Sequence, residues 1–249
     1  SIAILSRGYK RKAKNAWDCV SDGLSVKLDV LEAGDEPWLM ASRLKGVPVY
    51  VGANRYQTAV EILKRHSVDT LLLDDGFQHW GLDRDFDFVT FDATTFKESR
   101  SSQGVGLLPY GKFREPLGHL KRSNCVILTR TDQLNDIEKE RLRREIHWVH
   151  PNAPMIEANY RPKHILHISS GKQISLDHLV GRRISAFAGI GNPDSFLRVA
   201  RQFSQVVDFK IYLDHTFYSK KTMEQLLRDA EKKASDLILT TEKDAVRIP

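Results

Sequence analysis

Short apolar runs alternate along this chain with stretches of helical spacing. Ile2–Leu5 is an apolar run that ends in Ser6-Arg7-Gly8, the pattern of a strand entering a loop. Val47–Gly52 predicts a second strand, and Asn54–His66 follows as a helix with Ala59, Ile62 and Leu63 on one face. Thr70–Leu73, Asp87–Phe91 and Cys125–Leu128 predict three more strands, and Ile137–Trp148 a charged helix. Strands alternating with helices predict a mainly parallel α/β sheet flanked by helices.

Near His150–Pro154 both periods break, at His-Pro-Asn-Ala-Pro. Beyond the break, Met155–Asn159, His164–Ile168, Ile184–Ala188, Val206–Leu213 and Leu237–Leu239 predict strands. Helices are predicted from Asp194, as the cap, to about Phe203 and over Lys220–Lys233. The expected organisation is a core lobe over residues 1–153 and a second, smaller α/β lobe over 154–249, with a cleft between them. No internal repeat or low-complexity stretch occurs.

The sharpest chemical signal is Leu71-Leu72-Leu73-Asp74-Asp75-Gly76-Phe77-Gln78-His79. An apolar run ends abruptly in two carboxylates, which a parallel sheet places at its carboxyl edge, where open α/β sheets bind ligands. The same letters also describe a strand ending in an Asp-Gly turn. Gly34-Asp35-Glu36-Pro37 precedes a helix-prone run; it reads either as helix capping or as a carboxylate that takes a proton from an attacking hydroxyl. Asp214-His215 follows a strand; the imidazole reads either as a packed or surface side chain or, where it lies against a carboxylate, as a group that orients that base. The loop from Leu107 to Pro116 carries Lys112, Arg114 and Glu115, suited to phosphate oxygens or to a local ion pair. Arg7–Lys12 is a basic run, either solvated surface or a contact for anionic groups. Gly189-Ile190-Gly191 lacks the third glycine of a dinucleotide fingerprint and reads as a tight turn. Thr129-Arg130-Thr131-Asp132 resembles the base-reading element of GTPases but is too short to carry that reading. No Gly-x-x-x-x-Gly-Lys-Ser/Thr loop occurs, so spacing alone does not establish ATP use.

Composition narrows the partners. The 249 residues carry a formal net charge of +6, which favours an anionic partner: nucleic acid, acidic lipid headgroups or a phosphorylated substrate. No stretch approaches the roughly 18 consecutive apolar residues of a membrane span. The two cysteines, Cys19 and Cys125, match no metal spacing. Charge is the sole support for a nucleic-acid-binding domain, since no recognised module of that kind appears.

Taken in order, several segments resemble the tetraacyldisaccharide 4′-kinase family of lipid A biosynthesis. They are Leu5–Tyr9, Gly34–Pro37 with Leu39–Ala41, Arg55, Asp74–His79 with Leu82 and Arg84-Asp85, Leu107–Pro109, Gly111 and Arg114–Pro116, then Ala186–Pro193, Asp214-His215 and Thr240–Arg247. The resemblance spans nearly the whole chain. It implies a P-loop-NTPase-like, membrane-associated kinase that moves the γ-phosphate of ATP, with Mg²⁺, to the 4′-hydroxyl of a tetraacyldisaccharide 1-phosphate, forming lipid IVA. By resemblance, Asp35 is the base, paired with His215 by lobe closure, and Asp74 and Asp75 are the acidic residues near Mg²⁺. Gln78, His79, Arg55, Arg114 and Glu115 match further active-site positions that hold the nucleotide. The resemblance also implies the cytoplasmic leaflet of the inner membrane as partner, and no nucleic acid. Family members carry their Gly-rich phosphate loop and membrane-associating segment upstream of Leu5–Tyr9. The chain as given is therefore expected to lack both, and to bind ATP poorly and turn over little. A relative whose phosphate loop has decayed into a lipid-binding module is the alternative. Lys10 stands where the family often has Gly, and Phe113 where Leu is usual.

Overall fold

In the computed structural model the opening apolar run is strand β1 (Ile2–Ser6), with Ala3, Ile4 and Leu5 all buried. After it come β2 (Trp17–Asp22), α1 (Val30–Ala33), α2 (Asp35–Arg43), β3 (Pro48–Gly52), α3 (Arg55–Arg65) and β4 (Thr70–Leu73). The structure describes residues 1–12, 15–99 and 106–249. β1 pairs in parallel with β3 and with β4, and β2 lies antiparallel on the outer edge of β3, giving the order β2-β3-β1-β4. All five residues of β3 are buried, as a continuous apolar run in a covered parallel sheet requires. β2 has no such run: its Asp, Cys, Ser and Asp interrupt the apolar pattern, so the sequence does not predict it. Asn54 caps α3 by accepting from the Gln57 amide, and Ala59 and Ile62 bury its inner face.

Next in the chain are β5 (Phe88–Asp92), α4 (Ala93–Ser99), β6 (Cys125–Thr129), α5 (Asp136–Val149) and β7 (Met155–Ala158). The three strands form a parallel sheet in the order β5-β6-β7. α5 starts in a capping box, with Asn135 and Glu138 each bonding the other's backbone, and buries Leu142 and Ile146 one turn apart. Phe91, Phe96, Val126, Leu128 and these two residues make one core.

The chain continues with the short antiparallel pair β8 (Ile165–Leu166) and β9 (Gln173–Ile174). It then runs β10 (Arg183–Ala188), α6 (Pro193–Phe203), β11 (Gln205–Ile211), α7 (Lys220–Lys232), β12 (Leu237–Thr240) and α8 (Glu242–Ala245). These last strands form a parallel sheet ordered β11-β10-β12. The cap of α6 is Asn192, which accepts from the Ser195 amide, with Pro193 and not Asp194 opening the helix.

Two units result: Ser1–Gly81 with Pro162–Pro249, and Leu82–Arg161. This division differs from the one expected at residue 153. The His150–Pro154 break is the turn that feeds β7 into the sheet of β5 and β6, because β7 pairs with β6 from Met155 onward. The two ends of the chain share a unit.

Candidate active site

Within the unit built from the two chain ends, α2 begins at Gly34, whose φ of 90° and ψ of 148° suit glycine and direct the chain sharply into Asp35. Asp35 is 4% exposed. Its Oδ1 accepts from the Glu36 amide at 2.9 Å, and its Oδ2 lies 2.9 Å from His215 Nδ1. Against an ionised carboxylate that ring nitrogen must carry the proton and donate. His215 follows β11 with φ 65°, a left-handed turn that points the ring back to α2, and its amide donates to Asp214 Oδ1. The Tyr9 ring stands edge-on to the imidazole at 5.5 Å. The expectation that lobe closure must bring Asp35 and His215 together is replaced by a pair already made inside one unit.

The turn after β12 packs behind this pair. Lys243 Nζ donates to Glu36 Oε1 at 2.8 Å and to Asp214 Oδ1 at 3.3 Å, which tethers the neighbour of each member. Burial alone would push the Lys243 ammonium down. The Glu36 carboxylate, with Asp214 and Asp35, outweighs burial and holds the group above its ordinary value. A cavity of about 250 Å³ opens over Asp35 and His215, lined also by Tyr9, Lys10, Leu31 and Phe217. Its walls join apolar surface to two ammonium groups, Lys10 and Lys12. Lys10 has φ 57°, a left-handed conformation that glycine adopts freely.

At the carboxyl end of β4, Asp74 accepts a 2.8 Å hydrogen bond from Ser6 Oγ at the end of β1. Burial pushes the Asp74 carboxyl above its ordinary value. The Ser6 hydrogen bond and Arg55 oppose this, and the charges of Glu36 and Asp75 reinforce it. The influence of Glu36 ties this acidic edge electrostatically to the start of α2. Asp75 turns left-handed, at φ 50°, and is exposed. Arg55, 3% exposed at the start of α3, donates from Nη1 to Gly52 O at 3.0 Å, and its buried Nε has no hydrogen-bond partner among the described residues. Burial, with the Arg7 charge, holds the guanidinium below its ordinary value against the pull of Asp74 and Asp75. Gln78 is exposed, and His79 is half-buried in the turn closed by its amide on Gly76 O.

Among the described residues no group of three or more His, Cys, Asp or Glu side chains is arranged to hold a metal ion. Two carboxylates and a hydroxyl at one strand edge are nonetheless hard oxygen donors of the kind Mg²⁺ takes, because this ion keeps waters and uses one or two carboxylates beside phosphate oxygens. Asp74 and Asp75 follow one another at the end of β4, with Ser6 Oγ 2.8 Å from Asp74, so the residues fit the group.

Arg114 and Glu115 belong to the other unit. Arg114 is exposed, and Glu115 Oε2 takes His119 Nδ1 at 2.8 Å and an Arg122 guanidinium hydrogen bond. The local ion-pair alternative therefore describes Glu115 well. Phe113 stacks on Phe91 with centroids 5.5 Å apart, which gives its larger ring a place in the core. Thr131 donates to Glu157, and Arg130 pairs with Asp92. Lys243, Asp244 and Arg247 have no role by spacing or periodicity; their one signal in the sequence is the Thr240–Arg247 segment itself.

Parallel strands flanked by helices, with acidic residues at the carboxyl end of a parallel strand, are the architecture of the P-loop kinase class. The chain belongs to the Tetraacyldisaccharide-1-P 4′-kinase family, whose sequence profile matches residues 1–249. It is 34% identical to a tetraacyldisaccharide 4′-kinase of Halothermothrix orenii over 258 residues, covering 99% of this chain and 66% of that protein. It is 38% identical to the enzyme of that name from Anaeromyxobacter sp. (strain K), covering 99% of this chain and 64% of the relative. The chain thus spans just under two thirds of the length of these relatives. A crystal structure of LpxK from Aquifex aeolicus in complex with ATP superposes with a TM-score of 0.71 at 31% identity, covering 99% of this chain and 69% of that one.

Proposed function

We propose that the protein transfers the γ-phosphoryl group of ATP to the 4′-hydroxyl of a tetraacyldisaccharide 1-phosphate, giving lipid IVA, as a kinase of lipid A biosynthesis. The observation that carries this reading is the Asp35–His215 contact at 2.9 Å beside an open cavity, in a chain of this family.

Asp35 accepts the proton of the 4′-hydroxyl. The hydroxyl oxygen forms its bond to the transferred phosphorus as the bond from phosphorus to the bridging oxygen of ADP breaks. His215, donating from Nδ1, keeps Oδ2 of Asp35 aimed while the proton arrives. Asp74 and Asp75, with the Ser6 hydroxyl beside them, are the residues that would hold Mg²⁺. When bound, that ion neutralises charge on the phosphate oxygens. Arg55 adds a buried guanidinium to this edge, and Gln78 and His79 are assigned to the nucleotide; Arg114 and Glu115 keep a nucleotide role by the family resemblance alone. The lysines at the cavity and the net charge of +6 suit a phosphorylated glycolipid and the anionic cytoplasmic leaflet of the inner membrane. No helix among the described residues is long and apolar enough to cross a membrane.

The test is a kinase assay on the protein as its gene encodes it, with γ-labelled ATP, Mg²⁺ and the tetraacyldisaccharide 1-phosphate in mixed micelles. Label moving into lipid IVA is the expected result. Lipid binding with no transfer would instead support a non-catalytic lipid-binding relative.

A further inference from the structure

Arg247 follows α8, and its side chain is wholly enclosed. A guanidinium keeps its proton in proteins, so it is buried as a cation. Its Nε donates to Lys243 O at 3.2 Å, and its Nη2 donates to Gly189 O at 3.0 Å and to Asp244 Oδ1 at 2.5 Å. Asp244, equally enclosed, is fixed in turn by the Gly189 amide at 3.0 Å, Tyr218 Oη at 2.7 Å and Thr241 Oγ1 at 2.6 Å. An ion pair that served stability alone would be complete with these contacts. Yet Arg247 Nε also lies 3.7 Å from Asp35 Oδ2, the oxygen that receives His215, and its buried Nη1 has no hydrogen-bond partner among the described residues. The cation is thus held on one side by a rigid carboxylate network and faces the reactive carboxylate on the other.

We propose that Arg247, fixed by Asp244, is a positioning residue for the proposed phosphoryl transfer: its buried charge holds Oδ2 of Asp35 in line with His215 Nδ1. This inference rests on the reading of Asp35 as the base. Arg247 itself does not touch the reacting atoms. Lys243, on the same turn, secures the sequence neighbours Glu36 and Asp214, so one short segment supports both halves of the pair.

The test combines steady-state kinetics with proton NMR of the His215 Nδ1–H resonance, assigned by its loss in His215→Gln. Arg247→Met alone leaves Asp244 buried without its partner and lowers Tm. The double variant Asp244→Asn/Arg247→Met removes both charges and is expected to regain a Tm near that of wild type. In that folded double variant kcat falls at least tenfold, KM for ATP is unchanged, and the His215 resonance shifts or broadens. A double variant of wild-type Tm that keeps both the wild-type kcat and the wild-type resonance overturns the proposal. Should the double variant not fold, Arg247→Lys decides. It keeps the cation but loses the fork, so kcat at least threefold below wild type with a displaced resonance supports the role, and wild-type values of both overturn it. If wild type itself transfers no phosphate, or Asp35→Asn keeps full activity, the functional reading fails. The NMR arm still reports whether Arg247 sets the pair.

Discussion

Asp35 and His215 stand 180 positions apart in the chain and meet at 2.9 Å, one at the first turn of α2 and the other in a left-handed turn after β11. Asp35 is buried, and its oxygens are occupied by a backbone amide and an imidazole N–H. A carboxylate so oriented presents fixed lone pairs to the cavity, which general-base chemistry needs more than it needs flexibility.

Asp35→Asn keeps the size of the side chain and removes the base. Its kcat is expected to fall about 10²- to 10⁴-fold, with circular dichroism and Tm close to wild type. His215→Gln should cost less, because Asp35 survives without its orienting partner. An undiminished rate in Asp35→Asn would remove Asp35 from the mechanism.

Asp74→Asn separates function from stability. The folded state raises the Asp74 carboxyl above its ordinary value, so between the unfolded and folded values the folded chain binds the extra proton. Stability from this group is therefore lost as pH rises through that window, and at neutral pH Asp74 is a net cost. In metal-free buffer Asp74→Asn should melt higher than wild type at pH 7, with the gain disappearing in acid, while phosphoryl transfer is lost. Melting curves at several pH values check the sign.

Gly34→Ala tests the backbone under the base. At φ 90° and ψ 148° an L-residue is strained, at a cost of about 1–3 kcal/mol. Urea denaturation should show that loss, and kcat should drop beyond what stability explains, because relief of the strain rotates Asp35 away from His215.

Asn135→Ala serves as a control at a residue with no proposed part in the reaction. It removes one half of the capping box of α5, at a cost of about 1 kcal/mol. The protein should be less stable in denaturant, with kcat and KM for lipid and ATP unchanged.

Much of the fold was legible because buried parallel strands write themselves as apolar runs. Thr70–Leu73 was read residue for residue, and β6 and β10 to within one. β2 escaped because an edge strand is half polar and carries no period. The site was legible in pieces. The twin acids after Leu73 announced themselves by an abrupt change from apolar to charged, whereas Asp35 looked equally like a helix cap. In the structure Asp35 Oδ1 accepts from the first-turn Glu36 amide, as the capping reading expects, while its Oδ2 lies 2.9 Å from His215 Nδ1. Thr240–Arg247 stood out by resemblance, without a physical role attached.

The sequence by itself determined the α/β class, most strand positions, the family and the candidate acids, since each depends on local pattern or on residues within one segment. Tertiary structure alone decided that the chain's two ends share a unit, that Asp35 and His215 already meet at 2.9 Å inside it, and that Arg247 stands beside Asp35. Those contacts join residues far apart along the chain, and the parallel sheets and left-handed turns that unite them are fixed by packing and backbone geometry rather than by any periodicity a linear reading contains.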